Sequence, residues 1–349
     1  MAYTPIDNGK IFFNTKLYTG NGGTNAQTGV GFAPDWVWLK QRSGSAASHK
    51  LYDAVRGTTK YIASNNTGAE ATDSNGLTAF GTDGFTVGSS AGTNANNQTY
   101  VGWNWKAGTS FSNSAGANGA SIASTGSINT AAGFSVVKWT GSGSNATIGH
   151  GLGTKPSMLM VKNTTATGGW RVWHQSLTST QTLQLNTTAA VNTSAGQFNS
   201  SATFNSTVFS VGGEGDTNQS SQTIISYCFA EKTGYSKLSS YKGNGNADGT
   251  FVYTGFKPAW IMIKRTDAAN QWIMLNNKMS LYNNNTGDEL YADSNAAQNS
   301  FTDGGADFLS NGFKLRGTNA SVNVNNGSYI YMAFGQSIVG TNNIPATAR

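Results

Sequence analysis

Three times the chain writes proline, five mostly apolar residues and lysine: "FAPDWVWLKQR" at 32–42, "LGTKPSMLMVKN" at 152–163 and "FKPAWIMIKRT" at 256–266. No other feature restricts the fold as much. Aligning Pro34, Pro156 and Pro258 brings Lys40, Lys162 and Lys264 into one column. Upstream, an aromatic residue opens a Gly-rich turn in each copy: Tyr18 in "YTGNG", Trp139 in "WTGSG" and Tyr241 in "YKGNG". Downstream come Phe85 in "DGFTVGS", Phe209 in "STVFSVGG" and Phe313 in "NGFKLRG". Each copy closes on an aromatic stretch: "TYVGWNWKA", "TIISYCFAE" or "SYIYMAFGQ". The prolines lie 122 and 102 residues apart, too far for a solenoid and suited to whole domains.

Alternation fixes the strand reading. In "PDWVWLK", Trp36 and Trp38 point one way while Val37 and Leu39 point the other, so both faces are apolar and the strand is covered on both sides. Proline marks the strand start, where a missing N–H does least harm. The lysine is expected to emerge at the far end into solvent. Asp83-Gly84 and Asn311-Gly312 supply tight turns. No segment shows sustained helical periodicity with caps. The predicted fold is all-β: three tandem antiparallel β-sandwich units of jelly-roll or lectin-like type. The predicted boundaries are 1–108, 133–234 and 235–349, with a Gly/Ser/Asn-rich linker over 109–132. Units two and three, joined through "KTGYSKLSSYKG", are expected to pack closely.

Composition narrows the chemistry. Only 11% of the 349 residues are charged, against roughly 25% in an ordinary soluble domain. The net charge is +6, but the basic residues are scattered singly, which speaks against nucleic-acid binding. No apolar run reaches the length needed to span a bilayer, so no membrane insertion is expected. The start "MAYTPIDNGK" lacks a charged and an apolar signal region, so export by a cleaved leader is not indicated. Cys228 is the one cysteine; it reads as a small core residue, with no disulfide within the chain.

Catalytic constellations are sparse. The three histidines are His49, His150 and His174, and no G-x-S-x-G elbow is present. His49 with Asp53 is a lone pairing, because the other copies place Trp170/His174 and Trp272/Asn276 there. The carboxylates Asp53, Glu70, Glu214, Asp216, Asp288 and Glu289 read as solvated loop positions rather than a glycosidase pair. "GHGLGTK" and "GNGNADG" are turns with no following helix to hold a phosphate. "TDGGAD" at 302–307 reads as an Asx-type turn rather than a calcium loop. No cofactor, metal or catalytic residue is expected. Most aromatics, among them Trp36, Trp105, Phe229, Trp260 and Phe334, read as core. Trp170, Trp173 and His174 in "GGWRVWHQ", beside a Gly-rich turn, are the candidate ligand-binding patch for a glycan.

Longer phrases carry a resemblance: "LYDAVRGTTKYIASN", "FGTDGFTVGS", "TYVGWNWKAG", "IGHGLGTKPSMLMVK", "YCFAEKTGYSKLSSYKGNGNADGTFVYTGFKPAWIMIKRTD" and "DFLSNGFKLRGTNASVN". Over nearly the whole chain the sequence resembles a repeat-domain family of unknown function found among marine bacteriophage structural and tail-associated proteins. The resemblance implies a non-enzymatic protein on the virion surface, a tail fibre or receptor-binding component that mediates host attachment. The alternatives are a capsid decoration or head-fibre protein and, third, a polysaccharide-degrading enzyme. The implied partners are other virion proteins and a host surface glycan. A homo-oligomer is expected, a trimer if it builds a fibre. The family offers no catalytic residues to carry over.

Overall fold

Each proline–lysine stretch becomes a strand in the middle of a large antiparallel sheet. The computed structural model describes residues 6–199, 203–279, 287–301 and 303–336. In the first unit the order across the sheet is Phe13–Thr19, Thr99–Trp105, Trp36–Gln41, Lys50–Asp53. The second repeats it with Phe134–Thr140, Thr223–Phe229, Met158–Asn163 and Arg171–His174. The third uses Ser236–Lys242, Ser328–Gly335, Pro258–Arg265 and Trp272–Asn276. The chain is thus predominantly β, built from several antiparallel sheets.

The stretch 109–132 is not a tether. Thr109–Asn113 and Ser124–Asn129 are strands that extend the second sheet at its Phe134–Thr140 edge. Their Ser, Thr and Asn side chains give this stretch the composition of a linker, yet an edge strand facing water tolerates the same residues.

Both faces of the lysine strands are covered, by different things. One face of each sheet packs on a smaller sheet carrying Phe85, Phe209 or Phe313, with Val37 and Leu39, Leu159 and Val161, or Ile261 and Ile263 beneath. The opposite faces of all three sheets meet in a single core. Trp36, Trp38, Met158, Met160, Trp260 and Met262 all belong to it. Its centre is a web of rings: Trp36 lies 4.2 Å from Tyr227 and 4.3 Å from Trp105, Trp105 lies 5.8 Å from Trp260, and Phe13 stacks on Phe334 at 5.0 Å. The three large sheets therefore share one interior rather than burying separate ones on this side.

The lysines do not reach solvent. Lys40, Lys162 and Lys264 are fully buried because they share a face with Trp36/Trp38, Met158/Met160 and Trp260/Met262, the face turned to the other units. Carbonyl groups take the place of water. Lys40 Nζ donates to Ala47 O at 2.9 Å and to Asn295 O of unit three at 3.1 Å. Lys162 donates to Gly168 O at 2.6 Å and to Thr67 O of unit one at 3.0 Å. Lys264 donates to Asn270 O and, at 2.8 Å, to Thr188 O of unit two. Each of those acceptors also takes a backbone N–H across the seam, from Ala47, Gly168 or Asn270. The seams close a cycle: one to three, three to two, two to one. Burial lowers each ammonium to about 8, so the charged form still predominates at neutral pH.

The Gly-rich turns have a common cause as well. Buried Asn94, Asn218 and Asn323 each bond the turn from across the unit: Asn94 Nδ2 to Gly23 O at 2.6 Å, Asn218 Nδ2 to Ser144 O at 2.6 Å, Asn323 Nδ2 to Asn246 O at 2.9 Å. A Cβ at Gly20, Gly141 or Gly243 would meet Ala95 O, Gln219 O or Val324 O at 2.1, 2.1 or 2.2 Å. Only glycine fits this approach.

Replacing Lys162 by Met leaves the Gly168 carbonyl without its donor at a buried seam. The expected cost is about 1–3 kcal/mol, read from urea unfolding at pH 7. Wild-type stability in that variant would show that the clamp is incidental. Because the core is shared, the wild-type chain should unfold in one transition by tryptophan fluorescence and circular dichroism alike, not in three steps.

Candidate functional site

The expected aromatic patch is interior. Trp170 is fully buried and donates from Nε1 to Ala63 O of unit one at 2.8 Å. Trp173, 3% exposed, stacks on Phe204 at 4.1 Å. His174 is buried, with Nδ1 accepting from Ser176 N. These three residues form no exposed ligand platform: Trp170 and Trp173 enter the two cores, and His174 is buried at the end of the strand Arg171–His174.

The other reactive types are also absorbed by structure. His49 Nδ1 accepts from Trp38 Nε1 at 2.7 Å, so its Nε2–H faces Tyr291 O at 2.9 Å, across the seam to unit three. Trp170 and Trp272 occupy the same column and make the same cross-seam bond, Trp272 Nε1 to Gln184 O at 2.9 Å. Burial holds all three histidines below their ordinary value, to about 4 for His150 and His174. Cys228 is buried and pushed up to about 12. Asp303 caps Thr318 and Asp307 pairs with Arg316, which accounts for two carboxylates of "TDGGAD"; Thr302 lies outside the described residues. Among the described residues, no three His, Cys, Asp or Glu come together as a metal set.

Two carboxylates depart from the solvated reading. Asp53 is fully buried, chelating Arg56 through Nε at 2.6 Å and the backbone N at 2.9 Å, and accepting from Tyr227 of unit two at 2.8 Å. It therefore stands in a seam, with the third copy's Asn276 and the second's His174 in its column. Glu289 is buried against Tyr291 and Asn299, and burial raises its carboxyl to about 7.

Open space lies at the seams. A groove of about 350 Å³ runs between units one and two, lined by Arg56, Lys60 and Glu70 on one side and Lys138, Thr164 and Thr223 on the other. A second, of about 460 Å³, runs between units two and three. The two are repeat-equivalent position by position: Leu177, Gln181, Val191, Ser240, Thr266 and Ser328 stand where those six stand. Tyr241 and Tyr329 border the second groove, but their rings, stacked at 4.9 Å, turn to the opposite face of the sheet and pack with Phe313 and Tyr331. At the third seam the matching residues, Arg42 and Gln298, bond each other directly at 2.6 Å. Sequence reasoning missed these grooves because their residues are distant in the chain and polar in no marked pattern.

The charged form of Glu289 is disfavoured in the folded state. The unfolded chain releases this proton near 4.3, so stability falls as pH rises from there to about 7 and is level above it. Glu289→Gln keeps an acceptor for Tyr291 and removes the penalty. The variant should match wild type at pH 4 and exceed it by about 3–4 kcal/mol at pH 8 in urea titrations; an equal gain at both pH values would refute this assignment.

Residues 8–337 match the sequence profile of a domain of unknown function (DUF7483). No curated protein matches the chain in sequence.

Proposed function

Since the chain belongs to the DUF7483 family, whose function is unknown, we propose from its geometry and its phage resemblance that it is a non-enzymatic virion surface protein that attaches the particle to a host glycan. Each unit is read as a lectin-like β-sandwich whose inner face is shared. The observation that carries the proposal is the pair of equivalent seam grooves. Their volumes, about 350 and 460 Å³, suit one or two sugar rings, and their linings of hydroxyl, amide and charged groups suit polyols. A rigid core under both grooves reduces the ordering cost of binding, and two sites per chain on a many-copy particle multiply weak affinity. Three units in one chain also supply the threefold arrangement that a fibre otherwise takes from three chains.

A capsid decoration role is the second reading. It draws on Phe251 and Tyr253, 43% and 60% exposed on the short strand Phe251–Tyr253, where a neighbouring virion subunit would bury them.

Labelled full-length protein should bind cells of the phage host saturably, and excess unlabelled protein should lower phage adsorption. Adsorption left unchanged at saturating protein would overturn the attachment role. Phage particles carrying the chain on capsomers would then favour decoration.

A further inference from the structure

The groove between units one and two contains a cation that no described group of the protein neutralises. Lys138, half-buried on the strand Phe134–Thr140, lines this groove, and among the described residues its ammonium has no ion-pair or hydrogen-bond partner. The neighbouring charges are already committed. Arg56 is held by Asp53 and by Leu51 O at 2.8 Å, and Glu70 lies 3.4 Å from both Arg56 and Lys60. Three cations thus face two carboxylates. We propose that this groove binds the carboxylate of an acidic sugar, a uronic or sialic acid unit, with Lys138 as its charge partner. The inference deepens the attachment reading and rests on it.

Size and lining select this ligand class. A bare inorganic anion would leave most of the 350 Å³ unfilled, whereas a sugar acid occupies it. Thr165 Oγ1 accepts from Thr223 N at 3.0 Å, which leaves its O–H free to donate to a ligand. Val55 is the one apolar side chain in the lining, so recognition there runs through charge and hydroxyls rather than ring stacking. The equivalent groove serves as an internal control. It has Ser240 in place of Lys138, Gln181 in place of Lys60 and Val191 in place of Glu70. Its one lining cation, Lys242, already donates to Ser328 Oγ and Asn326 O, so acid preference is expected of the first groove.

The test titrates the full chain with D-glucuronate, D-galacturonate and N-acetylneuraminate, against D-glucose and D-galactose, with sodium acetate and phosphate as simple anions. At least one sugar acid should bind about 10-fold more tightly than the neutral sugars and the simple anions, the size of one charge-assisted hydrogen bond. Lys138→Ala should weaken it by about 10-fold, Lys138→Arg should retain it, and Ser240→Ala in the other groove should leave it unchanged. Lys138→Gln replaces Lys138→Ala if the latter's thermal unfolding departs from wild type. Equal binding of acidic and neutral sugars, equal binding of acetate, no binding of any sugar acid, or an unaffected Lys138 variant would each overturn the proposal. Host-cell binding fully kept by Lys138→Ala overturns this site and leaves the attachment reading standing; wild-type protein that ignores host cells overturns that reading while the titration is judged on its own.

Discussion

An ammonium group enters a protein interior only where other dipoles replace its water, and this chain arranges that replacement three times. Lys40, Lys162 and Lys264 each end an inward-facing row of large apolar side chains. Stripped of water with no partner, such a charge would lose its proton or unfold the seam. The loop carbonyls of the adjacent unit remove that choice. Thr67, Thr188 and Asn295 each accept both a lysine and a backbone N–H from the neighbouring copy. Only the correct juxtaposition of two units completes the set of acceptors around each lysine. The bond therefore acts on specificity of assembly more than on net stability, as buried polar groups do where a single arrangement satisfies them.

That specificity matters because the shared core is not selective on its own. Large aromatic rings attract one another in many arrangements, and several here forgo hydrogen bonds. The indole N–H groups of Trp36, Trp103, Trp105 and Trp260 find no acceptor among the described residues. An orphan donor costs about 1–3 kcal/mol, while burying 150–250 Å² of ring gives roughly 4–6 kcal/mol, so area wins. A core won by area alone tolerates sliding. The lysine clamps at its rim, with the cross-seam bonds of His49, Trp170 and Trp272, set the relative position of the sheets.

Much of this was readable from the residues, and the misses share one cause. The three copies, the strand at each proline and the two-faced burial of "DWVWLK" follow from landmarks and from period-two alternation, which are local. What covers each face is not local. Parity already placed Lys40 with Trp36 and Trp38, but treating lysine as a solvent residue overrode it; only the loop of another unit explains its burial. The same neighbour explains Trp170, which sits beside glycines yet reaches Ala63 in unit one. The linker reading of 109–132 failed because small polar residues serve an edge strand as well as a tether. Asp53 looked solvated because its partners, Arg56 and Tyr227, come from a turn and from another unit.

Comparison of the copies within the chain separates frame from function. Lysine at the clamp, asparagine behind the turn and glycine at the close approach are kept in all three, since each answers a constraint that is the same at every seam. The groove positions face no such constraint and have drifted: Lys138, Ser240 and Leu17 share one column, and Glu70, Val191 and Gln298 another. Drift alone would erode polarity at random, toward whatever the seam tolerates. One groove has instead become basic and hydroxylated, one is lined chiefly by hydroxyl and aliphatic side chains, and at the third seam Arg42 reaches across to Gln298. A repeated frame that can vary its seams without disturbing its clamps is suited to presenting different surfaces from one fold, and the polar chemistry left unsatisfied at Lys138 is where this chain departs furthest from a purely structural account.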